Sequence, residues 1–96
     1  MTPAYAPLRL AVIAEGGIQV IVEAMETATD EEVELQARGC SALANLVVGE
    51  GEAAVFEHGG LAVVLAAAAA HPTAASVQLK CCAALGNMAY GSAGEA

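Results

Sequence analysis

The stretch CSALANLVVGEGEA (residues 40–53) recurs near the end of the chain as CAALGNMAYGSAGEA (residues 82–96). Further upstream, VIAEGGIQVIV (residues 12–22) aligns in the same way with VFEHGGLAVVL (residues 55–65). Self-similarity at a spacing of 42 to 43 residues is the signature of tandem structural repeats. We therefore divide the chain into an extension, two full units and a remainder that is either a tail or the start of a further unit: 1–7, 8–50, 51–92 and 93–96.

Each unit has the same order of structural signals. A short helix, a Gly-Gly pair, a second helix, a polar break and a longer third helix are predicted in turn, because glycine accepts positive φ and permits a sharp corner. Thr29 and Glu32 have the spacing of a capping box and predict the start of the third helix there. Gly49 and Gly91 are expected to end the third helices. The predicted short and second helices span 8–15, 18–27, 52–58 and 61–70.

The third helix of the first unit is apolar on two sides. A helix with two apolar stripes is covered on two sides, as is the inner helix of a stack of repeats. This pattern predicts that Cys40 and Cys82 are core residues and that Cys81 packs as well. The two stripes have three-and-four spacing and consist of Val33, Ala37, Cys40, Leu43 and Val47 on one side and Leu35, Gly39, Ala42 and Leu46 on the other.

Composition narrows the fold class and the partners. Hydrophobic residues make up 57% of the chain, mostly Ala, Val and Leu, and favour an all-helical protein. Three basic and eleven acidic residues give a net charge of −8, which argues against a nucleic acid or an anionic membrane surface as the partner. The longest apolar run, residues 61–70, is too short to span a bilayer, so membrane insertion is not expected.

No motif for catalysis, a cofactor or a metal is found. The adjacent pair Cys81-Cys82 lacks the CxxC spacing of metal sites, and no GxSxG, HExxH or phosphate loop is present. The odd number of cysteines within helical pattern indicates reduced thiols in an intracellular protein, either cytoplasmic or nuclear. We expect no enzymatic activity, no cofactor and no metal site.

The unit resembles the armadillo repeat. The resemblance covers residues 8–91 and is carried by AEGGIQVIVEAM, EHGGLAVVLAAA, LQARGCSALANL and LKCCAALGNM. HEAT repeats are the alternative, but they have two helices and usually lack the Gly-Gly corner. The resemblance implies an all-α, right-handed α-α superhelix of two three-helix repeats. It also implies a concave groove, formed by the third helices, that receives an extended peptide or protein segment.

The resemblance further implies which residues line that groove. The family asparagine that bonds the backbone of the bound peptide matches Asn45 and Asn87. Importin-alpha-like members place Trp four residues earlier, where this chain has Ser41 and Ala83, so binding of nuclear-localisation signals is not expected. The positions one turn further back hold Arg38 and Lys80, two cations that suit an acidic partner, as in beta-catenin-like members. By helical spacing, Tyr90 lies on the same stripe of the third helix as Lys80, Ala83 and Asn87, where it would stack on a ligand or cover the end of the stack.

Two functional hypotheses follow. In the first, the chain is a protein-interaction module, part of a longer armadillo array, that binds a segment across Asn45 and Asn87. In the second, it is an assembly module that self-associates through exposed repeat ends, since two repeats form a thin stack. A simpler interpretation of Arg38 is also open, because Glu34 lies four residues earlier in the favoured order for a helix ion pair.

Overall fold

The computed structural model describes the backbone of residues 5–95 and the side chains of residues 8–90. Six α-helices and one short 3-10 turn account for most of this range, and it contains no strand. The all-helical prediction is therefore confirmed. In chain order, the helices are α1 (Tyr5–Ala14), α2 (Gly17–Thr27) and α3 (Val33–Leu46), then the 3-10 turn Gly49–Gly51, then α4 (Glu52–Glu57), α5 (Gly60–Ala70) and α6 (Ala75–Glu95).

The two Gly-Gly corners have the same geometry. Gly16 has φ +85° and Gly59 has φ +84°, a left-handed conformation that favours glycine, and both values confirm the predicted corner. The second glycine of each pair is needed for a different reason. A Cβ added to Gly17 or Gly60 would lie less than 3.0 Å from the valine five residues earlier. Each corner thus fixes the angle at which α2 leaves α1 and α5 leaves α4.

The helices pack around one continuous core. α3 and α6 lie against each other at its centre, while α2 packs on α3 and α5 packs on α6. The side chains at this centre are of modest size, which lets the helices approach closely. The largest fully buried side chains come from both units, and they are Ile18, Leu43, Val55, Val64, Val77, Cys40 and Cys81.

Three sequence predictions about the third helices are wrong. α6 continues through Gly91 to Glu95, so this glycine does not end the helix. Cys82 is exposed and only Cys40 and Cys81 are buried, because no helix of the described range packs on the side of α6 that carries Cys82. Glu32 does accept a bond from the Thr29 backbone N–H at 2.8 Å, but α3 begins after Glu32, so the pair shapes the preceding turn.

The carboxyl ends of the second helices are capped by a pair of equivalent glutamines. Gln36 is buried and donates Nε2 to the Met25 carbonyl at 3.1 Å. Gln78 donates Nε2 to the Ala68 carbonyl at 3.0 Å, and also to the His71 carbonyl at the same distance. Since the last carbonyls of a helix lack intrahelical donors, these bonds satisfy groups that would otherwise be buried without partners.

Candidate interaction groove

Two hollows lie along the contact between α3 and α6, on the side that carries most of the predicted binding residues, and together they are called the groove. The first, of about 280 Å3, lies towards the amino ends of the two helices, and the second, of about 120 Å3, lies towards the end of α3. The first is lined by Glu34, Ala37, Arg38, Ser41, Ser76 and Lys80, and the second by Val47, Val48, Gly49, Asn87 and Tyr90.

The first hollow carries more positive than negative charge. Arg38 Nε donates to Glu34 Oε2 at 2.8 Å, so the predicted helix ion pair is confirmed, although both side chains are well exposed. Lys80 is exposed and has no ion-pair partner among the side chains of residues 8–90. Exposed ion pairs contribute little and separate easily. This hollow therefore presents one unpaired cation, a second one held loosely, and the half-buried hydroxyl of Ser41 between them.

The second hollow contains the amide of Asn87. Its Nδ2 donates to the carbonyl oxygen of Ala44 at 2.8 Å and bridges α6 to the end of α3. The bond is needed because α3 ends at Leu46, which leaves the Ala44 carbonyl without an intrahelical donor. The Oδ1 atom of Asn87 stays available as an acceptor, and Tyr90 beside it is 80% exposed.

Asn45 occupies the equivalent position on α3 but has different surroundings. Its side chain is exposed, and it lines neither hollow. Its backbone carbonyl accepts a bond from Arg9 Nε at 3.3 Å, so this end of α3 is held by Arg9 from α1. The two asparagines, which are alike in sequence, therefore differ in structure: one bridges the units and the other faces solvent.

The structure brings most of the predicted groove residues together, but in two groups. Arg38, Ser41 and Lys80 line the first hollow, and Asn87 and Tyr90 line the second. Ala83 is exposed and, like Asn45, lines neither. Sequence reasoning missed the structural role of Arg9 and of the two glutamines. The repetition of glutamine at equivalent positions in both units indicated a shared role. No sequence pattern indicated that Arg9 would bond the end of α3.

The buried thiols lie at the contact between α3 and α6. Cys40 Sγ is 3.2 Å from Cys81 Sγ. Burial, with a smaller contribution from the neighbouring Cys81 thiol, raises the pKa of Cys40 to about 12. The thiolate is therefore strongly disfavoured at this position, and a nucleophilic role for Cys40 is correspondingly weak.

The described residues contain neither a metal-binding cluster nor a single helix suited to span a membrane. In that range, no three His, Cys, Asp or Glu side chains are grouped so that they could hold a metal ion. No single helix there has the length and apolar composition needed to cross a membrane. One bent pair, Gly49–Glu57 with Gly60–Ala70 at 74°, meets those two criteria jointly.

Comparison with known proteins gives no relative on which to base an assignment. No protein-family model, curated protein or solved structure matches the chain.

Proposed function

We propose that this protein is an interaction module that holds an extended protein segment in the groove between α3 and α6. The observation that carries the proposal is the alignment of cationic and amide side chains along one pair of helices, in two neighbouring hollows. The proposal includes the armadillo-type arrangement, a right-handed superhelix of three-helix units. The two matching glycine corners and the matching glutamine caps support that arrangement.

The groove favours a segment with few carboxylates. Lys80 and Arg38 attract an acidic side chain at short range, with Lys80 the stronger site because it has no ion-pair partner in the described range. The whole molecule carries a charge of −8, so a long acidic run would be repelled as it approached. One or two carboxylates in an otherwise neutral segment satisfy both conditions.

The amide hollow would contribute to affinity without selecting side chains. Asn87 Oδ1 can accept a backbone N–H of the segment while Nδ2 keeps its bond to Ala44. Tyr90 offers an exposed aromatic face against which an apolar side chain of the segment can pack. The segment would thus place a carboxylate beside Lys80 and its backbone beside Asn87.

In the proposed function, the protein is neither an enzyme nor a cofactor carrier. It acts inside the cell, in the cytoplasm or the nucleus. The three free cysteines fit a reducing compartment, where buried thiols such as Cys40 and Cys81 stay unoxidised.

The test is binding of fluorescent peptides that differ in the number and position of carboxylates, measured by polarisation. Lys80→Glu should weaken capture of the best peptide by about tenfold or more, because it replaces the attraction with repulsion. Lys80→Arg is the matched control and should retain binding. Glu34→Gln should strengthen binding by about two- to threefold, since it frees Arg38. Equal affinity of Lys80→Glu and the wild type would refute the proposal.

A further inference from the structure

Residues at equivalent positions in the two units differ in how much of the side chain is exposed. Ile18 and Val22 on α2 are 1% and 3% exposed, whereas their counterparts on α5, Leu61 and Leu65, are 36% and 49% exposed. The same holds on the third helices, where Ala37 and Cys40 are buried but their counterparts are exposed. We define the trailing face of a unit by these positions: Ile18, Val22, Ala37 and Cys40 in the first unit, and Leu61, Leu65, Leu79 and Cys82 in the second.

The opposite side of each unit shows the reverse pattern. Val12 and Val20 are 41% and 65% exposed, whereas their counterparts Val55 and Val63 are buried. Leu35, Gly39 and Ala42 on α3 are half-buried, and their counterparts on α6 are fully buried. The leading face of a unit is defined by these positions: Val12, Val20, Leu35, Gly39 and Ala42 in the first unit, and Val55, Val63, Val77, Cys81 and Ala84 in the second.

Inside the molecule, the trailing face of the first unit is seated on the leading face of the second. The contact between Cys40 Sγ and Cys81 Sγ at 3.2 Å and the bond from Asn87 to Ala44 fix this joint. The trailing face of the second unit and the leading face of the first occupy the positions equivalent to these two packed surfaces. In the described residues, each of them lacks the surface that would pack against it. The chain therefore exposes both halves of a joint that it has already formed once.

We propose that a second copy of this chain docks its leading face onto the exposed trailing face of the first copy. The contact repeats the joint between the units, and it borders the groove proposed to hold a peptide at Arg38, which lines both. The internal joint identifies the partner as a second copy, because it shows that a trailing face of one unit packs against a leading face of another.

Side-chain sizes at the two exposed faces also match. Leu79 projects from the second unit, 69% exposed, where the internal joint has the small Ala37. On the leading face of the first unit, Gly39 stands where the internal joint has Cys81. Because Cys40 faces Cys81 in the internal joint, Cys82 would face Gly39 between copies, so the contact has less side-chain volume there and more at Leu79. An open, almost wholly apolar groove of about 320 Å3 lies there, between α2 and α3, and its walls include Val20, Ile21, Ala24, Leu35, Gly39 and Ala42.

Such a contact joins different surfaces and leaves one of each free at the ends of the pair. It therefore does not close as a two-fold dimer, and it produces chains that lengthen with concentration. Because the contact is apolar while each copy carries a charge of −8, association should increase with salt. Peptide binding at Lys80 should instead weaken with salt, so the two proposals can fail separately.

The experiment blocks one face at a time and measures mass by sedimentation from micromolar to millimolar protein. Leu79→Glu removes the trailing face and Val20→Glu the leading face, and each should stay at the monomer mass of 9.5 kDa while the wild type grows. Each should weaken association by about tenfold or more, because a carboxylate would be buried without a partner. Leu10→Glu is the matched control, since Leu10 and its counterpart Ala53 are both exposed and lie on neither face.

The decisive step mixes the two blocked variants in equal amounts. The Val20→Glu copy keeps its trailing face and the Leu79→Glu copy keeps its leading face, so the mixture should form a pair of twice the monomer mass and nothing longer. All substituted side chains are exposed, and circular dichroism verifies that each variant remains helical. A wild type that stays monomeric, a blocked variant that associates like the wild type, or a mixture without the pair would each overturn the proposal.

Discussion

α3 and α6 occupy equivalent places in the two units and carry the same residue at several equivalent positions, but their surroundings differ. Leu43 on α3 is fully buried and its counterpart Leu85 is half-buried, while Cys40 is buried and Cys82 exposed. The residue type is the same within each of these two pairs, so residue type does not determine the burial. The comparison shows what decides the burial of a residue on these helices. It is buried where a neighbouring unit packs against its side of the helix and exposed where none does.

The largest expected difference between the two helices is the cost of removing a leucine. Leu43→Ala should lower the free energy of unfolding by about 2–5 kcal/mol, because it leaves a cavity in a closed core. Leu85→Ala should cost about half as much or less, since water already reaches that site. Urea unfolding at low protein concentration measures both, and equal costs would mean that α6 is covered as fully as α3.

The next difference is a pH dependence of stability that comes from Cys40. Burial raises the pKa of this thiol from its ordinary value of 9.0 to about 12 in the folded protein. Between pH 9 and pH 12, the unfolded chain therefore loses a proton that the folded chain keeps. The free energy of unfolding should therefore be unaffected by this thiol below pH 9 and should fall above it by about 1.4 kcal/mol per pH unit.

Thiol variants isolate this contribution. Cys40→Ala should flatten the fall between pH 9 and 12, whereas Cys82→Ala, at the exposed equivalent position, should leave it in place. Unfolding by guanidinium at a series of pH values provides the comparison. If the two variants gave the same slope, the thiol at position 40 would not be the source.

A smaller difference is expected between the two asparagines. Asn87→Ala removes the bond to the Ala44 carbonyl and should cost about 1–2 kcal/mol of stability, because a half-buried acceptor loses its donor. Asn45→Ala should stay within about 0.5 kcal/mol of the wild type, as its exposed side chain has no comparable bond. Thermal melting of the two variants tests the pair, and similar melting points would remove the distinction drawn between them.

Local features of the fold were predictable from the sequence, and features that depend on neighbours were not. The corners at Gly16 and Gly59 and the Arg38–Glu34 pair depend on residues close in the chain, so spacing alone revealed them. Gly91 lies inside α6, because a glycine ends a helix only where the chain must turn. The exposure of Cys82 could not be seen, since no sequence pattern within one unit states whether another unit covers it.

The candidate groove was predictable to a similar extent. Periodicity and the resemblance together selected the stripe that contains Arg38, Lys80 and Asn87, and the structure places these residues along one pair of helices. The prediction treated Asn45 and Asn87 as equals, because they are equal in sequence. They differ because Asn87 has the end of α3 within reach and Asn45 faces no such helix end.

Glutamine and asparagine side chains recur at equivalent positions in the two units, but their hydrogen bonds connect different parts of the molecule. Gln36 and Gln78 each bond a carbonyl within their own unit, whereas Asn87 reaches back to the unit before it. If the second unit were copied once more in tandem, its glutamine would add to the intrinsic stability of the copy. Its asparagine would add to the coupling that makes neighbours unfold in a single cooperative transition. Deleting asparagines from such a chain should therefore split its melting curve into steps, and deleting glutamines should lower the whole curve together.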